Sequence, residues 1–234
     1  NVRFFKYSNL TGQLYAYEQQ VSQVTPIVDT VESTGWPKLP YFQDGQLVLN
    51  STPSGGQYIA WKYTPVSNMI NVTIHVTRFP IVNNGPGIEL LSPNVGNRPA
   101  DNIQNQGIYM LVVSFAPTFP NILFFPPNGS PRGFNTQPLP TPNPNYPFTY
   151  TVIFTKNSAG NVTVQSIYIN GTQYVLNYDT WFPWNEIGYV GIRGDGNSLF
   201  YVSYFAVSPS HYGGSEEFLG NSETSADSHD FCYN

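Results

Sequence analysis

The fold is decided by the stretch Ile70-Asn71-Val72-Thr73-Ile74-His75-Val76-Thr77. Apolar and polar residues alternate along it, so every second side chain lies on the same face of an extended chain. The stretch Phe148-Thr149-Tyr150-Thr151-Val152-Ile153-Phe154-Thr155 follows the same alternation. This pattern is typical of a strand with one face in a core and the other toward solvent. Both stretches are therefore predicted to be half-buried β-strands.

Strand signals continue along the whole chain and are separated by turn residues. Four dipeptides that tolerate positive φ are predicted to reverse the chain: Asp44-Gly45, Asn84-Gly85, Asn170-Gly171 and Asp195-Gly196. No stretch longer than a turn follows the 3.6-residue period of a helix. The sequence therefore predicts an all-β protein, with further strands at residues 2–7, 13–20, 46–50, 57–64, 107–116, 122–125, 162–169, 172–178, 187–193 and 199–207.

Some of these strands carry more specific signals. Residues 107–116 and 199–207 are nearly continuous apolar or aromatic runs, which is typical of central strands covered on both faces. In the segment 162–169 the apolar residues change parity halfway. A β-bulge near Gln165-Ser166 would bring them back to one face, because a bulge adds one residue to a strand.

A proline-rich segment interrupts the strands. Ten of the 21 prolines lie between Pro117 and Pro147. Because proline cannot donate to a central ladder, the segment is predicted to be a long loop, with residues 122–125 as an edge strand. Its position could separate two domains, but each half would hold few strands and no repeat relates them. A single two-sheet antiparallel β-sandwich with a long Pro-rich loop at 117–147 and extended termini is the preferred interpretation.

The domain organisation follows from the same patterns and from charge. Residues 1–35 are predicted to be an N-terminal strand or extension, residues 36–208 the sandwich, and residues 209–234 an acidic polar tail. The tail holds five of the fourteen acidic residues, so the rest of the chain has nine acids and nine bases. The net charge of −5 therefore belongs to the tail.

Composition excludes several classes of protein. Charged residues make up 10% of the chain and aromatic residues 16%, whereas disordered chains combine high charge with few aromatics. No cluster of Lys and Arg is present to bind nucleic acid, and no apolar run is long enough to span a membrane as a helix. The neutral polar surface, with 24 Asn, 19 Ser and 18 Thr, predicts life in an acidic medium, where carboxylates lose their charge.

The sequence also predicts a secreted glycoprotein at an extracellular or cell-surface location. Cys232 is the sole cysteine, which rules out a disulfide within the chain. Six Asn-x-Ser/Thr sequons are candidate glycosylation sites, and several coincide with predicted turns or strand ends. They begin at Asn9, Asn50, Asn71, Asn128, Asn161 and Asn170.

The order of strands resembles the concanavalin A-like/laminin-G sandwich superfamily over roughly residues 36–208. The segments that carry the resemblance are Asp44-Gly-Gln-Leu-Val-Leu49, Ile59-Ala-Trp-Lys-Tyr63, Tyr150-Thr-Val-Ile-Phe-Thr155, Val164-Gln-Ser-Ile-Tyr-Ile-Asn-Gly171, Ile187-Gly-Tyr-Val-Gly-Ile192 and Phe200-Tyr-Val-Ser-Tyr-Phe-Ala-Val207. The resemblance implies a jelly-roll of two antiparallel sheets that often binds sugar or protein on its concave face or at its loops. The superfamily also contains glycosidases, so the fold leaves activity open.

The sequence contains few candidate catalytic residues. Glu89 and Glu186 are the acids in the most apolar settings, where burial could raise a pKa as a general acid needs, and they are weak candidates for a hydrolytic pair. The Asp-Thr-Gly and Asp-Ser-Gly motifs of acid proteases are missing, and so is a Gly-x-Ser-x-Gly elbow. No cofactor and no metal site are expected. The chain is interpreted as a non-enzyme rather than an enzyme.

Aromatic residues provide the best candidates for binding. The segment Trp181-Phe-Pro-Trp184 is predicted to be a loop, where Trp181, Trp184 and nearby Tyr189 suit stacking on a sugar ring. The sequence therefore favours a carbohydrate-binding, adhesive sandwich. Self-assembly into an extracellular filament is the first alternative, with residues 1–7 adding as a strand to the sheet edge of a neighbouring copy. An acid-active glycoside hydrolase or peptidase is the second.

Overall fold

The alternating stretches form the strands that the sequence predicts. The computed structural model describes residues 3–7, 14–18, 27–30, 40–44, 46–51, 57–81, 84–93, 109–115, 120–127, 132–135, 147–195, 197–209 and 216–219. Within these residues the helical content is one 3₁₀ turn, Trp184–Glu186. The prediction of an all-β protein is confirmed.

Seventeen strands occur in the described part of the chain. In chain order they are β1 (Arg3–Tyr7), β2 (Leu14–Glu18), β3 (Ile27–Thr30), β4 (Tyr41–Gln43), β5 (Gln46–Asn50), β6 (Gln57–Lys62), β7 (Met69–Ile81), β8 (Asn84–Leu91), β9 (Met110–Phe115), β10 (Pro120–Phe125), β11 (Arg132–Asn135), β12 (Phe148–Lys156), β13 (Asn161–Ile169), β14 (Thr172–Pro183), β15 (Tyr189–Asp195), β16 (Leu199–Ser208) and β17 (Glu216–Leu219).

The strands form two large antiparallel sheets that pack as a sandwich. The eight-stranded sheet has the order β14-β13-β12-β7-β16-β5-β4, and β17 also pairs with β16. The seven-stranded sheet has the order β11-β10-β9-β8-β15-β6-β3, and β1 and β2 form a separate pair. One hydrophobic cluster contains residues of both large sheets, so the core lies between them. The predicted two-sheet antiparallel sandwich is confirmed.

The core contains the apolar half of each alternating strand. Val72 and Ile74 of β7 lie in it, as do Tyr150 and Val152 of β12. Tyr150 is fully buried, and its hydroxyl donates a hydrogen bond of 3.3 Å to the carbonyl oxygen of Val113 in the opposite sheet. Burial also raises the pKa of Tyr150. The one polar atom of this large side chain is thus paired across the sandwich, which avoids the cost of an unpaired hydroxyl.

Paired bulges interrupt β7 and β16 where the two strands meet. On β7, Val76 and Phe79 both lie in the core although two residues separate them. Val202 and Phe205 stand in the same relation on β16. The register confirms the irregularity, because it shifts on both sides of Val202. A bulge adds a residue to a strand, and here it turns two successive side chains of each strand away from the core.

The bulge predicted in β13 is confirmed. Ser166 pairs with Ile153 of β12, and Val164 pairs with Phe154, so Gln165 is the extra residue. The side chain of Gln165 is exposed. The predicted central strands are inner strands, because β9 lies between β8 and β10, and β16 lies between β7 and the pair β5 and β17. Burial on both faces is confirmed for β9 and is wrong for β16, whose outward residues Tyr201 and Ser203 are half-buried.

The proline-rich segment contains more strand than predicted. Its strand β10 pairs with β9 on one side and with β11 on the other, so the predicted edge strand at 122–125 is an inner strand. Pro120 is its first residue, a position where the missing N–H costs little. The predicted turn at Asn84-Gly85 is wrong, since Asn84 begins β8. The turns at Asp44 and at Asn170-Gly171 are confirmed by positive φ angles.

Strands from both terminal regions join the sheets or pair with each other. The stretch β1, predicted as a donor to a neighbouring copy, pairs with β2 of the same chain. Within the predicted extension, β3 pairs with β6 of the seven-stranded sheet. Within the predicted tail, β17 pairs with β16 of the eight-stranded sheet. The two large sheets therefore include residues on both sides of 36–208.

We predict that Gly191→Ala destabilises the protein by about 1–3 kcal/mol, the usual cost of overpacking a core. A Cβ on Gly191 would lie 2.6 Å from Cβ of Ala60 and 2.6 Å from the carbonyl oxygen of Ile59, on the paired strand β6. Gly133→Ala is the matched control, because its Cβ would meet only Cδ2 of Leu123 at 3.5 Å, an ordinary contact. Urea unfolding measures both changes, and equal stability of the two variants would contradict this account of the sheet.

Candidate functional site

The outward face of the eight-stranded sheet carries polar and aromatic side chains, and we call it the outer polar face. Its members lie on five strands. All but Tyr41 have a sequence neighbour whose side chain lies in the core, so they point away from it. Tyr41 pairs with Val48, whose own neighbours Leu47 and Leu49 lie in the core. The members are Tyr41 on β4, Gln46 on β5, Thr73, His75, Thr77 and Arg78 on β7, Thr151 on β12, and Tyr201 and Ser203 on β16.

Hydrogen bonds between strands hold the polar groups of this face in place. The hydroxyls of Thr73 and Thr151 lie 2.8 Å apart. Nδ1 of His75 lies 2.9 Å from Oγ of Ser203, the residue at the bulge. These contacts cross from β7 to its two neighbours, so they fix side-chain positions on the central strands of the sheet.

A third contact connects β7 with β5. The hydroxyl of Thr77 donates to Oε1 of Gln46 at 2.7 Å, although β16 lies between the two strands. The bulge makes this contact possible by turning Thr77 outward over the backbone of β16, where its hydroxyl also lies 3.4 Å from the carbonyl oxygen of Tyr201. The amide group of Gln46 is thereby fixed against Thr77, the residue before Arg78, on the outward side of the sheet.

One row of the outer polar face is aromatic and cationic. Strand pairing places Tyr41, Val48, Tyr201 and Arg78 side by side on β4, β5, β16 and β7. The Cζ atom of Arg78 lies 4.7 Å from the centroid of the Tyr201 ring, which is a cation–π contact. Tyr41 is 37% exposed. Partial burial, and then the neighbouring Tyr201 phenol, raise the pKa of Tyr41.

This arrangement has the chemistry of a site for a neutral or acidic polar ligand. An exposed tyrosine ring offers an apolar surface, and the amide, hydroxyl and guanidinium groups around it offer donors and acceptors. Sequence analysis missed Tyr41, Gln46, Arg78 and Tyr201. A signal was present, because two successive polar residues, Thr77 and Arg78, interrupt the apolar alternation before Phe79.

The structure separates the three aromatic residues that the sequence predicted as a binding site. The predicted loop is wrong: Trp181 belongs to β14, and Trp184 begins the 3₁₀ turn. Trp181 is 48% exposed, and its ring centroid lies 6.3 Å from that of Phe124. Trp184 is 5% exposed and packs in the core. Tyr189 lies half-buried on the seven-stranded sheet, so only Trp181 keeps a large exposed ring.

Four of the six predicted glycosylation sites lie within the described residues. Asn170 is exposed in the turn after β13, and its Oδ1 accepts a hydrogen bond of 2.9 Å from the backbone N–H of Thr149. Asn50, Asn71 and Asn161 are half-buried on strands. Asn9 and Asn128 lie outside the described residues, and glycosylation stays a prediction at every sequon.

Glu89 has an environment that sequence analysis did not foresee. It is fully buried on the outward face of the seven-stranded sheet, within a second apolar cluster made by Tyr58, Ala60, Leu91, Met110 and Val112. Nη1 of buried Arg193 lies 3.9 Å from its Oε2 and 3.8 Å from Sδ of Met110. Such an ion pair compensates two buried charges, and this gives Glu89 a structural role.

The second acidic candidate is not paired with Glu89. Glu186 is half-buried in the 3₁₀ turn between β14 and β15, whereas Glu89 stands opposite Gly191 and Val112 in the middle of a sheet. In the described part of the chain, no group of three His, Cys, Asp or Glu residues is arranged to hold a metal ion.

Comparison with known sequences finds one curated relative. No protein-family model matches the chain. The "Putative transmembrane protein ORF1334" of Acidianus two-tailed virus is 58% identical over 222 residues, which cover 93% of this chain and 16% of that protein. The chain thus matches a small part of a much longer protein. Among the described residues, no helix is both long and apolar enough to cross a membrane.

Comparison with solved structures finds sandwiches of similar size. They include lectin II from Ulex europaeus, with a TM-score of 0.44 and 12% identity over 84% of this chain and 93% of that chain. The lectin from Bauhinia forficata in complex with GalNAc has a TM-score of 0.43 and 13% identity over 87% of this chain and 96% of that chain. An alginate lyase in complex with alginate trisaccharide has a TM-score of 0.44 and 12% identity over 86% of this chain and 95% of that chain. At these TM-scores the likenesses carry no argument about ligand or activity.

We predict that Glu89→Gln lowers the free energy of unfolding by about 3–5 kcal/mol, because it removes the buried carboxylate that lies 3.9 Å from the Arg193 guanidinium. The double variant Glu89→Leu with Arg193→Met should recover most of this loss, since apolar side chains of similar size suit the cluster. Denaturant unfolding of the three proteins measures the effect. A double variant as unstable as the single one would show that the ion pair does not govern stability here.

Proposed function

We propose that this chain is a carbohydrate-binding β-sandwich module at an extracellular or cell surface, where binding would serve adhesion. The observation that carries the proposal is the outer polar face, with an exposed Tyr41 ring beside fixed neutral donors and acceptors. A pyranose ring requires this combination, because its C–H face packs on an aromatic ring and its hydroxyls need hydrogen-bond partners.

The energetics of the outer polar face support the proposal. The side chains of Thr73, His75 and Thr77 are already held by hydrogen bonds to side chains of other strands in the sheet. A ligand would therefore immobilise few additional rotamers on binding, which lowers the entropic cost of association. The superfamily resemblance seen in the sequence implies sugar or protein binding on a sheet face as well.

The relative from Acidianus two-tailed virus supports a proposal about where this chain is located. It is much longer than this chain and is named as a transmembrane protein. We infer that the chain corresponds to one exposed module of a protein of that kind. The low fraction of charged residues and the six sequons support an exterior setting, as the sequence predicts.

We predict that Tyr41→Ala weakens binding of a saccharide found by glycan-array screening by about tenfold, equivalent to ~1.4 kcal/mol, because the stacking surface is lost. Isothermal titration calorimetry measures the change. Trp181→Ala is the matched control, since it removes another exposed ring at the far edge of the same sheet. Loss of binding in Trp181→Ala alone would move the site to β14, and no binding to any glycan would refute the proposal.

Strand addition remains the alternative, and one observation favours it. Among the described residues, β14 has no strand paired with its outer edge, and Val175 in its middle is largely exposed. An exposed strand edge of this length is a template for a strand from another chain. Against it, β1 is paired within its own chain and is not a spare donor. Electron microscopy of the purified chain would reveal filaments if the alternative holds.

A further inference from the structure

We infer that the outer polar face selects acidic saccharides, and that the guanidinium group of Arg78 is the partner of the sugar carboxylate. The inference rests on the proposed carbohydrate binding and adds the class of sugar. It places an acidic oligosaccharide along the row, with one ring against Tyr41 and a uronate carboxylate at Arg78, three strands away.

The first argument is that Arg78 is an exposed cation without a carboxylate partner in the described part of the chain. Its guanidinium group contacts the Tyr201 ring. Arg193 is different, because it is buried and lies 3.9 Å from Glu89. An exposed guanidinium keeps its full set of N–H donors for a ligand, and these donors match the two oxygens of a carboxylate.

The second argument is that the protein orients this guanidinium in advance. The bulge turns Arg78 outward although Phe79, its neighbour, lies in the core. The contact of 4.7 Å with the Tyr201 ring then restrains the long side chain over the sheet. A restrained arginine loses less rotamer entropy when it binds an anion than a freely moving surface lysine does.

The third argument concerns the groups around Arg78. Its neighbours in the row are the phenol of Tyr201 and the apolar Val48, and Thr77 and Gln46 beside it are neutral. The chain outside the acidic tail has equal numbers of acidic and basic residues. An anionic ligand therefore meets a local positive charge on an otherwise neutral surface, and this favours an acidic sugar over a neutral one.

The test compares trigalacturonate with its fully methyl-esterified form, in which each charged carboxylate is replaced by a neutral methyl ester. Calorimetric titration at low ionic strength should show trigalacturonate binding about tenfold or more tightly. Arg78→Gln should lower the affinity for trigalacturonate about tenfold and the affinity for the ester by a smaller factor, because only the acid loses a contact between opposite charges. Lys156→Gln, which removes an exposed charge at the end of β12, should change neither. Circular dichroism confirms that each variant is folded.

The outcomes separate this inference from the proposed function. Equal binding of the acid and the ester, unchanged in Arg78→Gln, would overturn the selection of acidic sugars and leave carbohydrate binding intact. If neither trigalacturonate nor its ester binds, and no glycan on the array binds, both the selection of acidic sugars and the proposed carbohydrate binding are overturned. A sulfated trisaccharide that binds while trigalacturonate does not would overturn the assignment of a carboxylate as the anion. An affinity loss as large in Lys156→Gln would show general charge attraction and overturn the role of Arg78.

Discussion

The paired bulges in β7 and β16 are the constraint on which the rest of the structure depends. Without them, strict alternation after Val76 would bury Arg78 and expose Phe79. With them, Phe79 packs in the core, with its ring 5.8 Å from that of Phe200, and Arg78 stands outside against Tyr201. The same irregularity therefore completes the core between the sheets and creates the outer polar face. Bulges often re-aim side chains beside functional sites.

The outward faces of the two sheets differ in chemistry, and this difference points to one of them as the binding face. On the seven-stranded sheet, Met110, Val112 and Glu89 are buried, and the charge of Glu89 is compensated by Arg193. On the eight-stranded sheet, half-buried hydroxyls alternate with the apolar residues of the core. Among the described residues, the second face alone combines an exposed ring with fixed polar groups, so a polar ligand would find its partners there.

Much of the fold follows from local pattern, whereas the site does not. Alternation identified β7 and β12, and the parity change in β13 located its bulge, because both signals lie within one strand. Strand β8 was missed, since its Asn-Gly and Pro-Gly pairs resemble turns and its strand character depends on its neighbours β9 and β15. Trp184 was expected in a loop, but tertiary packing buries it. Tyr41, Arg78 and Tyr201 are distant in sequence, and only sheet pairing makes them a row.

The central claim is that a saccharide binds on the outer polar face of the eight-stranded sheet. A two-dimensional amide spectrum of the isotopically labelled chain, recorded during titration with trigalacturonate, tests it most directly. The account predicts that the resonances that shift first and furthest belong to the rows around Tyr41, Arg78 and Tyr201. Shifts confined to the neighbourhood of Trp181, or to the seven-stranded sheet around Glu89, would contradict it.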